Sequence, residues 1–174
     1  AYSLKTYSLW PDTEDRDELR KVFSDSSFRN EFRQALTVFD SAHLFTGRWE
    51  WVSIAVAGLE KNADLEGRNI AEIASERGVD PLDLFFDLGL EEDFGTKYTF
   101  FMLNMVEEGV AEVIVNDGTL ISLSDAGAHN SLLCDAGYAM YLFGHWTRER
   151  GLFDLPTAIR KVTHDPAEVY GIIN

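Results

Sequence analysis

The stretch KYTFFMLN, residues 97–104, is a short apolar run that ends in a polar residue. A helix-like segment follows at 106–114, and a second apolar run follows at 119–124, after the turn signal at 117–118. A strand, a helix and a second strand in this order predict a parallel crossover. The sequence therefore predicts the α/β fold class.

Working outward, the segment 49–57 is rich in β-branched and aromatic residues and predicts an earlier strand. Apolar residues at helical spacing, with capping residues and prolines at the ends, predict the helices of the chain. These helices are expected near 12–23, 28–39, 69–78, 80–88, 134–149 and 154–162.

The charge balance limits the classes of partner. The chain has 15 Lys and Arg against 30 Asp and Glu, so its formal net charge is −15. Such a charge repels nucleic acid and anionic membranes, and neither is expected as a partner. A lone cysteine, Cys134, and the lack of an apolar run of spanning length favour a cytoplasmic protein. No signal peptide is visible, and a processed or truncated start is expected.

The polar residues that follow the predicted strands are the first candidates for chemistry, because ligands gather at the carboxyl ends of parallel strands. They are Asn104 and Asp125. The segment 125–129, Asp-Ala-Gly-Ala-His, combines small residues with a carboxylate and an imidazole. From the spacing alone, Asp125 is either a turn or capping residue or a catalytic one, and both interpretations stay open.

The histidines form no recognisable metal motif. His43, His129, His145 and His164 lack the spacing of a self-contained metal site. His145 is expected to be a packed or partly exposed helix residue rather than a ligand, and Cys134 a small buried hydrophobe rather than a nucleophile. Nucleotide cofactors lose support because no glycine-rich phosphate loop follows a strand.

Three stretches together resemble the D-aminoacylase-like (N-acyl-D-amino acid deacylase) branch of the metal-dependent amidohydrolases. They are residues 62–74 with 80–83, residues 124–129, and residues 158–163 leading into 166–168. Their order and spacing also match, and the resemblance covers most of residues 45–171.

The resemblance implies the C-terminal portion of a (β/α)8 TIM barrel, in which the Ser-Asp-x-Gly element at 124–127 ends the eighth strand. Residues 1–48 would form a helical insertion or lid-like segment, and residues 49–174 the last β/α units. The barrel would be incomplete, so the chain is expected to be a fragment.

The chemistry implied by the resemblance is hydrolysis of the amide bond of N-acyl-D-amino acids by water activated on zinc. Asp125 would be both a metal ligand and the acid/base. His129 and Arg148 are the candidates to bind the substrate carboxylate, because the family's His-Pro-Arg element is replaced here by His129-Asn130-Ser131. Arg148 is equally compatible with a solvated helix position.

The expected partners are a small N-acyl amino acid and either the remainder of the catalytic domain or an oligomeric partner. The other metal ligands of the family lie on earlier strands that this chain does not contain, so the isolated chain is expected to be inactive. The alternative is a catalytically silent, truncated α/β module that only assembles with another chain. Three strands cannot close an eight-stranded barrel, and an open sheet leaves unpaired edges.

Overall fold

The computed structural model describes residues 2–38, 43–101, 103–121, 124 and 136–172, and the chain divides into two units, Ala1–Leu103 and Asn104–Asn174. The first unit contains α1 (Arg16–Ser24), α2 (Ser26–Ala35), β1 (Val52–Val56), α3 (Ile70–Arg77), α4 (Pro81–Glu91) and β2 (Lys97–Phe100). The second unit contains α5 (Glu107–Val115), α6 (Tyr138–Tyr141), a π-helical segment (Leu142–Glu149), α7 (Leu155–Val162) and α8 (His164–Val169). Short 3-10 turns occupy Tyr2–Thr6, Trp49–Trp51 and Glu60–Leu65.

The two strands pair antiparallel, with Val52 opposite Phe100 and Ile54 opposite Tyr98. Across the described ranges the sheet consists of these two strands, and the strand expected over 119–124 is not formed at residues 119–121 or at 124. The predicted α/β class with a parallel crossover is therefore wrong. The expectation of a portion of a (β/α)8 barrel is wrong for the same reason, because all strands of that barrel are parallel.

The connection between β1 and β2 contains two helices, α3 and α4, joined by residues 78–80. Before α3 begins, the chain runs back along β1, and Ser53 and Asn69 form an antiparallel bridge. The connection is therefore not the single crossover helix that joins parallel neighbours.

The helices predicted near 69–78 and 80–88 are confirmed, and so are their end signals. The Asn69 side chain accepts a hydrogen bond from the N–H of Glu72 at 2.8 Å and caps α3. Gly78 ends that helix with φ of 65°, a left-handed conformation that favours glycine. Asp80 accepts from the N–H of Leu82 at 3.0 Å and caps α4, which has proline at its first position. Both helices are thus defined by local contacts.

The helices predicted near 12–23 and 28–39 are also formed, with shifted bounds. Asp15 accepts a hydrogen bond from the N–H of Asp17 at 2.8 Å, and Asp25 accepts from the N–H of Ser27 at 2.9 Å. These two caps set the starts of α1 and α2, because a capping carboxylate satisfies N–H groups that have no partner within the helix.

An aromatic cluster, defined as Trp10, Phe23, Phe28, Phe32 and Phe86, forms the centre of the first unit. Phe86 of α4 is buried, and its ring centroid lies 4.7 Å from that of Phe23, 5.7 Å from Phe28, 6.1 Å from Phe32 and 6.4 Å from Trp10. The core of this unit therefore includes side chains from α1, α2 and α4. The expected division of the chain at residue 48 stays a prediction.

Two arginines of α2 bind α4 beside this cluster. Arg29 lies 3.2 Å and Arg33 2.9 Å from the carboxylate oxygens of Asp83. Arg29 also donates to the carbonyl of Phe23 at 2.7 Å, and its side chain is only 14% exposed. A hydrogen bond to Asp80 raises the pKa of Arg33. Because Arg29 is largely shielded from water, its ion pair contributes more than an exposed pair would.

A carboxylate clamp, defined as Glu92 with Gly58, Asn62 and Thr96, connects the end of α4 to the segment after β1. Glu92 is buried and accepts hydrogen bonds from the N–H of Gly58 at 2.6 Å and the amide of Asn62 at 2.7 Å. The Thr96 hydroxyl donates to the same carboxylate. Asn62, part of a stretch that carries the family resemblance, thus has a structural role.

The clamp requires glycine at position 58. A Cβ atom at Gly58 would lie 2.9 Å from the carbonyl carbon of Gly95 and 3.0 Å from Glu92, so a larger residue would force the two segments apart. Burial raises the pKa of the Glu92 carboxyl, but hydrogen bonds from Thr96, Asn62 and the backbone N–H groups of Gly58 and Leu59 outweigh it. The pKa therefore lies below its usual value.

The second unit has a small core. Its buried side chains among the described residues are Leu142 and Trp146 of the π-helical segment, Ala158 of α7 and the stem of Lys161. Residues of α5 pack against this core, but none of them is fully buried. The helices predicted near 106–114 and 154–162 are confirmed as α5 and α7, whereas the helix predicted over 134–149 is formed from residue 138, as α6 and the π-helical segment.

Replacing Phe86 with Ala should lower the free energy of unfolding of the first unit by about 3–5 kcal/mol, because it removes the ring that the aromatic cluster surrounds. Phe101→Ala is the matched control, because Phe101 is 47% exposed. This variant should lower the free energy of unfolding much less. Urea denaturation followed by NMR signals of the first unit would measure both. Equal losses for the two variants would contradict the central position of Phe86.

Replacing Glu92 with Gln should lower the free energy of unfolding at pH 7 by about 1–3 kcal/mol, because an amide cannot accept all the hydrogen bonds of the clamp. A lowered carboxyl pKa stabilises the fold above the unfolded pKa of about 4.3 and loses that contribution as pH falls through the folded value. The difference from wild type should therefore shrink below about pH 4.

Urea denaturation at several pH values would measure this difference. Glu76→Gln is the matched control, because Glu76 forms an exposed ion pair with Arg68, which is not part of the clamp. This variant should lower the free energy of unfolding by at most about 1 kcal/mol. A difference for Glu92→Gln that is unchanged between pH 7 and pH 3 would refute the role of its charge.

Candidate functional site

The residues expected to carry the chemistry are described only in part. Asp125 and His129 lie outside the described residues, as does Cys134. Arg148 lies in the π-helical segment of the second unit and is exposed. Its proximity to Asp125, and its role with His129 toward a substrate carboxylate, therefore stay predictions.

The π-helical segment continues directly from α6. The N–H of Arg150 donates to the carbonyl of His145 at 2.9 Å, and the Thr147 hydroxyl donates to the carbonyl of Leu142 at 2.9 Å. Bonds to the fifth residue back widen the helix, and such turns are frequent at functional sites. Leu142 and Trp146 face the core, whereas Arg148 is on the solvent side.

A charged cluster, defined as Glu107, His145, Glu149 and Arg150, lies on this segment and on the first turn of α5. The Nε2 atom of His145 is 2.8 Å from Glu107, and its Nδ1 atom is 3.0 Å from Glu149. Arg150 is 3.0 Å from the second oxygen of Glu107. Each ring nitrogen of His145 therefore lies within hydrogen-bonding distance of a different carboxylate.

The sequence predicted His145 as a packed or partly exposed residue, and its side chain is indeed only 18% exposed. Its ring stacks on that of Tyr141, with centroids 4.8 Å apart. The sequence did not indicate Glu107 as its partner, because the two residues are 38 positions apart. Glu149 is four residues from His145 on the same segment, a spacing that could have suggested the second contact.

An open depression of about 300 Å³ lies beside the charged cluster. Its lining includes the carboxylates of Glu107, Glu108 and Glu149, with Arg150 as its cation. Arg150 is already paired with Glu107. The depression is therefore unsuited to an anionic group such as a substrate carboxylate, and its charge favours a cation.

The described residues do not provide a zinc site. No group of three or more His, Cys, Asp or Glu side chains in the described ranges is arranged to hold a metal ion, whereas catalytic zinc usually has three protein ligands. Asp125, the one metal ligand expected from the resemblance, lies outside those ranges. In the same part of the chain, no helix is long and apolar enough to cross a membrane.

Comparison with known proteins gives distant relatives and no family. No family model matches the chain, and no solved structure matches it. Uncharacterized proteins of Mycobacterium bovis and of two strains of Mycobacterium tuberculosis are 26% identical to it over 172 residues. The alignment covers 90% of this chain and 26% of the relatives, so the chain spans about a quarter of the length of the curated relatives it matches. The resemblance to amidohydrolases therefore rests on the motif residues themselves.

Proposed function

We propose that this chain carries the acid/base residue, Asp125, of a metal-dependent enzyme that hydrolyses the amide bond of N-acyl-D-amino acids. The observation that carries the proposal is the segment 124–129, Ser-Asp-Ala-Gly-Ala-His, in its order and spacing relative to the stretches 62–74 and 158–163.

The reaction assigns two proton transfers to one side chain. The Asp125 carboxylate takes a proton from the water that attacks the amide carbonyl carbon, and it returns that proton to the nitrogen as the carbon–nitrogen bond breaks. The products are a carboxylic acid and a free amino acid. One carboxylate serves both steps because it gains a proton in the first and loses it in the second.

The metal of the resemblance is zinc, and the described residues do not fit it. We therefore place its other ligands in a part of the full-length protein that this chain does not contain. The length of the mycobacterial relatives supports this assignment, because the alignment spans only 26% of them. A longer polypeptide, or an oligomeric partner, has room for the ligands that complete the site.

Arg148 is the described candidate for binding the substrate carboxylate, with His129 as the second candidate. Its side chain is exposed and forms no ion pair with any described residue, so it is available to an anion. The neighbouring Arg150 differs because it is held by Glu107 at 3.0 Å. We also propose a cytoplasmic location, because a single cysteine cannot form a disulfide within the chain and a reducing compartment keeps such a thiol free.

A second candidate function is a catalytically silent module that assembles with another chain. The exposed apolar residues of the second unit favour it. Val113 and Val115 of α5 are 58% and 43% exposed, and no residue of that helix is fully buried. Activity of the full-length natural protein distinguishes the module from the enzyme.

Replacing Asp125 with Asn in the full-length natural protein should reduce kcat by about 10²- to 10⁴-fold, because Asn cannot carry the proton. Asp117→Asn is the matched control, since Asp117 lies in an exposed turn where Asn is equally suited. Steady-state hydrolysis of an N-acetyl-D-amino acid by folded, metal-loaded protein would measure both. An Asp125→Asn enzyme that keeps more than about a tenth of the wild-type kcat would exclude the acid/base role.

Replacing Arg148 with Gln should raise KM about tenfold and leave kcat nearly unchanged, because it removes a charged hydrogen bond made equally to substrate and transition state. Arg150→Gln is its control, since the Arg150 charge is already paired. The same kinetic assay measures both variants. A KM that rises equally in the two variants, or in neither, would remove Arg148 from the substrate site.

A further inference from the structure

A second candidate site lies in the first unit, in an aromatic pocket of about 280 Å³ between the N-terminal segment, α1, α4 and the start of β2. Six rings line it. The rings of Phe23, Phe85 and Phe86 belong to buried residues and are the inner wall, while those of Trp10, Phe94 and Tyr98 are partly exposed. The lining rings of the aromatic pocket are those of Trp10, Phe23, Phe85, Phe86, Phe94 and Tyr98.

The aromatic pocket is open to solvent. Pockets for small molecules begin at about 300 Å³ and are lined mainly by apolar and aromatic groups. The aromatic pocket is close to that lower limit. Binding of an apolar ligand would remove apolar surface of the ligand and of the rings from water, and the free energy of binding would become more favourable roughly in proportion to that area.

The polar residues at the mouth determine the charge of the ligand. Lys5 and Arg16 contribute two cations and Glu14 one carboxylate. The Lys5 pair with Glu14 is long, at 3.8 Å, and the Glu14 side chain is 94% exposed. Arg16 binds Asp93 through a single nitrogen, Nη1, at 2.7 Å. Asp93 thus offsets the charge of Arg16, and Lys5 is the cation at the mouth whose ion pair is weak enough for a ligand to replace.

We propose that the aromatic pocket binds a small carboxylate with an aromatic or similarly bulky apolar body. The apolar body occupies the space between the rings of Phe23, Phe86 and Phe94, and the carboxylate pairs with Lys5 at the mouth. This site is in the first unit and does not depend on Asp125. It would persist if the proposed hydrolase activity failed.

Gly89 of α4 offers a variant that closes the pocket without disturbing the backbone. It lines the pocket, and a Cβ atom there would lie 3.8 Å from a ring carbon of Phe94, an ordinary van der Waals distance. A leucine side chain at this position would occupy the ligand's space. Gly109 in α5 is the matched control, because a Cβ atom there meets nothing within 4 Å.

The probe is 1-naphthylacetate, and its affinity is measured by calorimetry and by NMR shifts of the lining residues. Wild type and Gly109→Leu should bind it equally, and Gly89→Leu at least about tenfold more weakly. NMR spectra check that Gly89→Leu is folded. Gly89→Ala fills less of the pocket and should therefore give a smaller loss of affinity. No binding by wild type at millimolar probe, or unchanged affinity in Gly89→Leu, overturns the proposal.

Neutral and cationic analogues test the charge. Lys5→Gln should weaken binding of 1-naphthylacetate by about three- to fivefold and leave binding of the neutral 1-naphthylacetamide unchanged. Lys21→Gln is the control, since Lys21 is on α1 outside the pocket. The assignment of a carboxylate is overturned if Lys21→Gln weakens binding of 1-naphthylacetate equally. It is also overturned if the amide or 1-naphthylethylamine binds more tightly than the acid.

Discussion

Packing around Phe86 is the interaction on which the first unit depends. Its ring, on α4, contacts rings from the N-terminal segment, α1 and α2. Burial of one such side chain contributes about 1.5–3 kcal/mol. The same packing brings Asp83 of α4 within reach of Arg29 and Arg33, which connect the helices at the edge of the cluster. It also leaves one side of Phe23 and Phe86 as the wall of the aromatic pocket.

Glu92 provides the second constraint, and it acts on the sheet. Its carboxylate is bound by groups that follow β1 and precede β2, so the antiparallel pair closes over the end of α4. The close approach of Gly58 and Gly95 is possible because neither residue has a Cβ atom. Asn62 lies in a stretch that carries the family resemblance. Its side-chain amide donates a hydrogen bond to Glu92, and this contact gives the amide a structural role rather than a catalytic one.

Local contacts explain what the sequence could predict. Both ends of α3 and the start of α4 were predicted correctly because Asn69, Gly78 and Asp80 act on N–H and carbonyl groups within a few residues. The π-helical segment was expected as an ordinary helix, because apolar spacing around Leu142 and Trp146 does not distinguish the two over a few turns.

Long-range pairing could not be predicted in the same way. The runs at 52–56 and 97–100 are apolar enough for strands, but nothing in them specifies an antiparallel partner. The parallel crossover was inferred from a third strand over 119–124 that is not formed at its described residues. The contact of His145 with Glu107 joins residues 38 positions apart and has no local signal.

The two units differ in their cores. The first unit has an extensive aromatic core and a pocket of its own, whereas the second has few buried side chains among its described residues and contains the residues expected to act on substrate. The most direct measurement is release of free amino acid from N-acetyl-D-leucine and N-acetyl-L-leucine by the zinc-loaded, full-length natural protein. The account predicts turnover of the D-enantiomer, and turnover of neither enantiomer would contradict it.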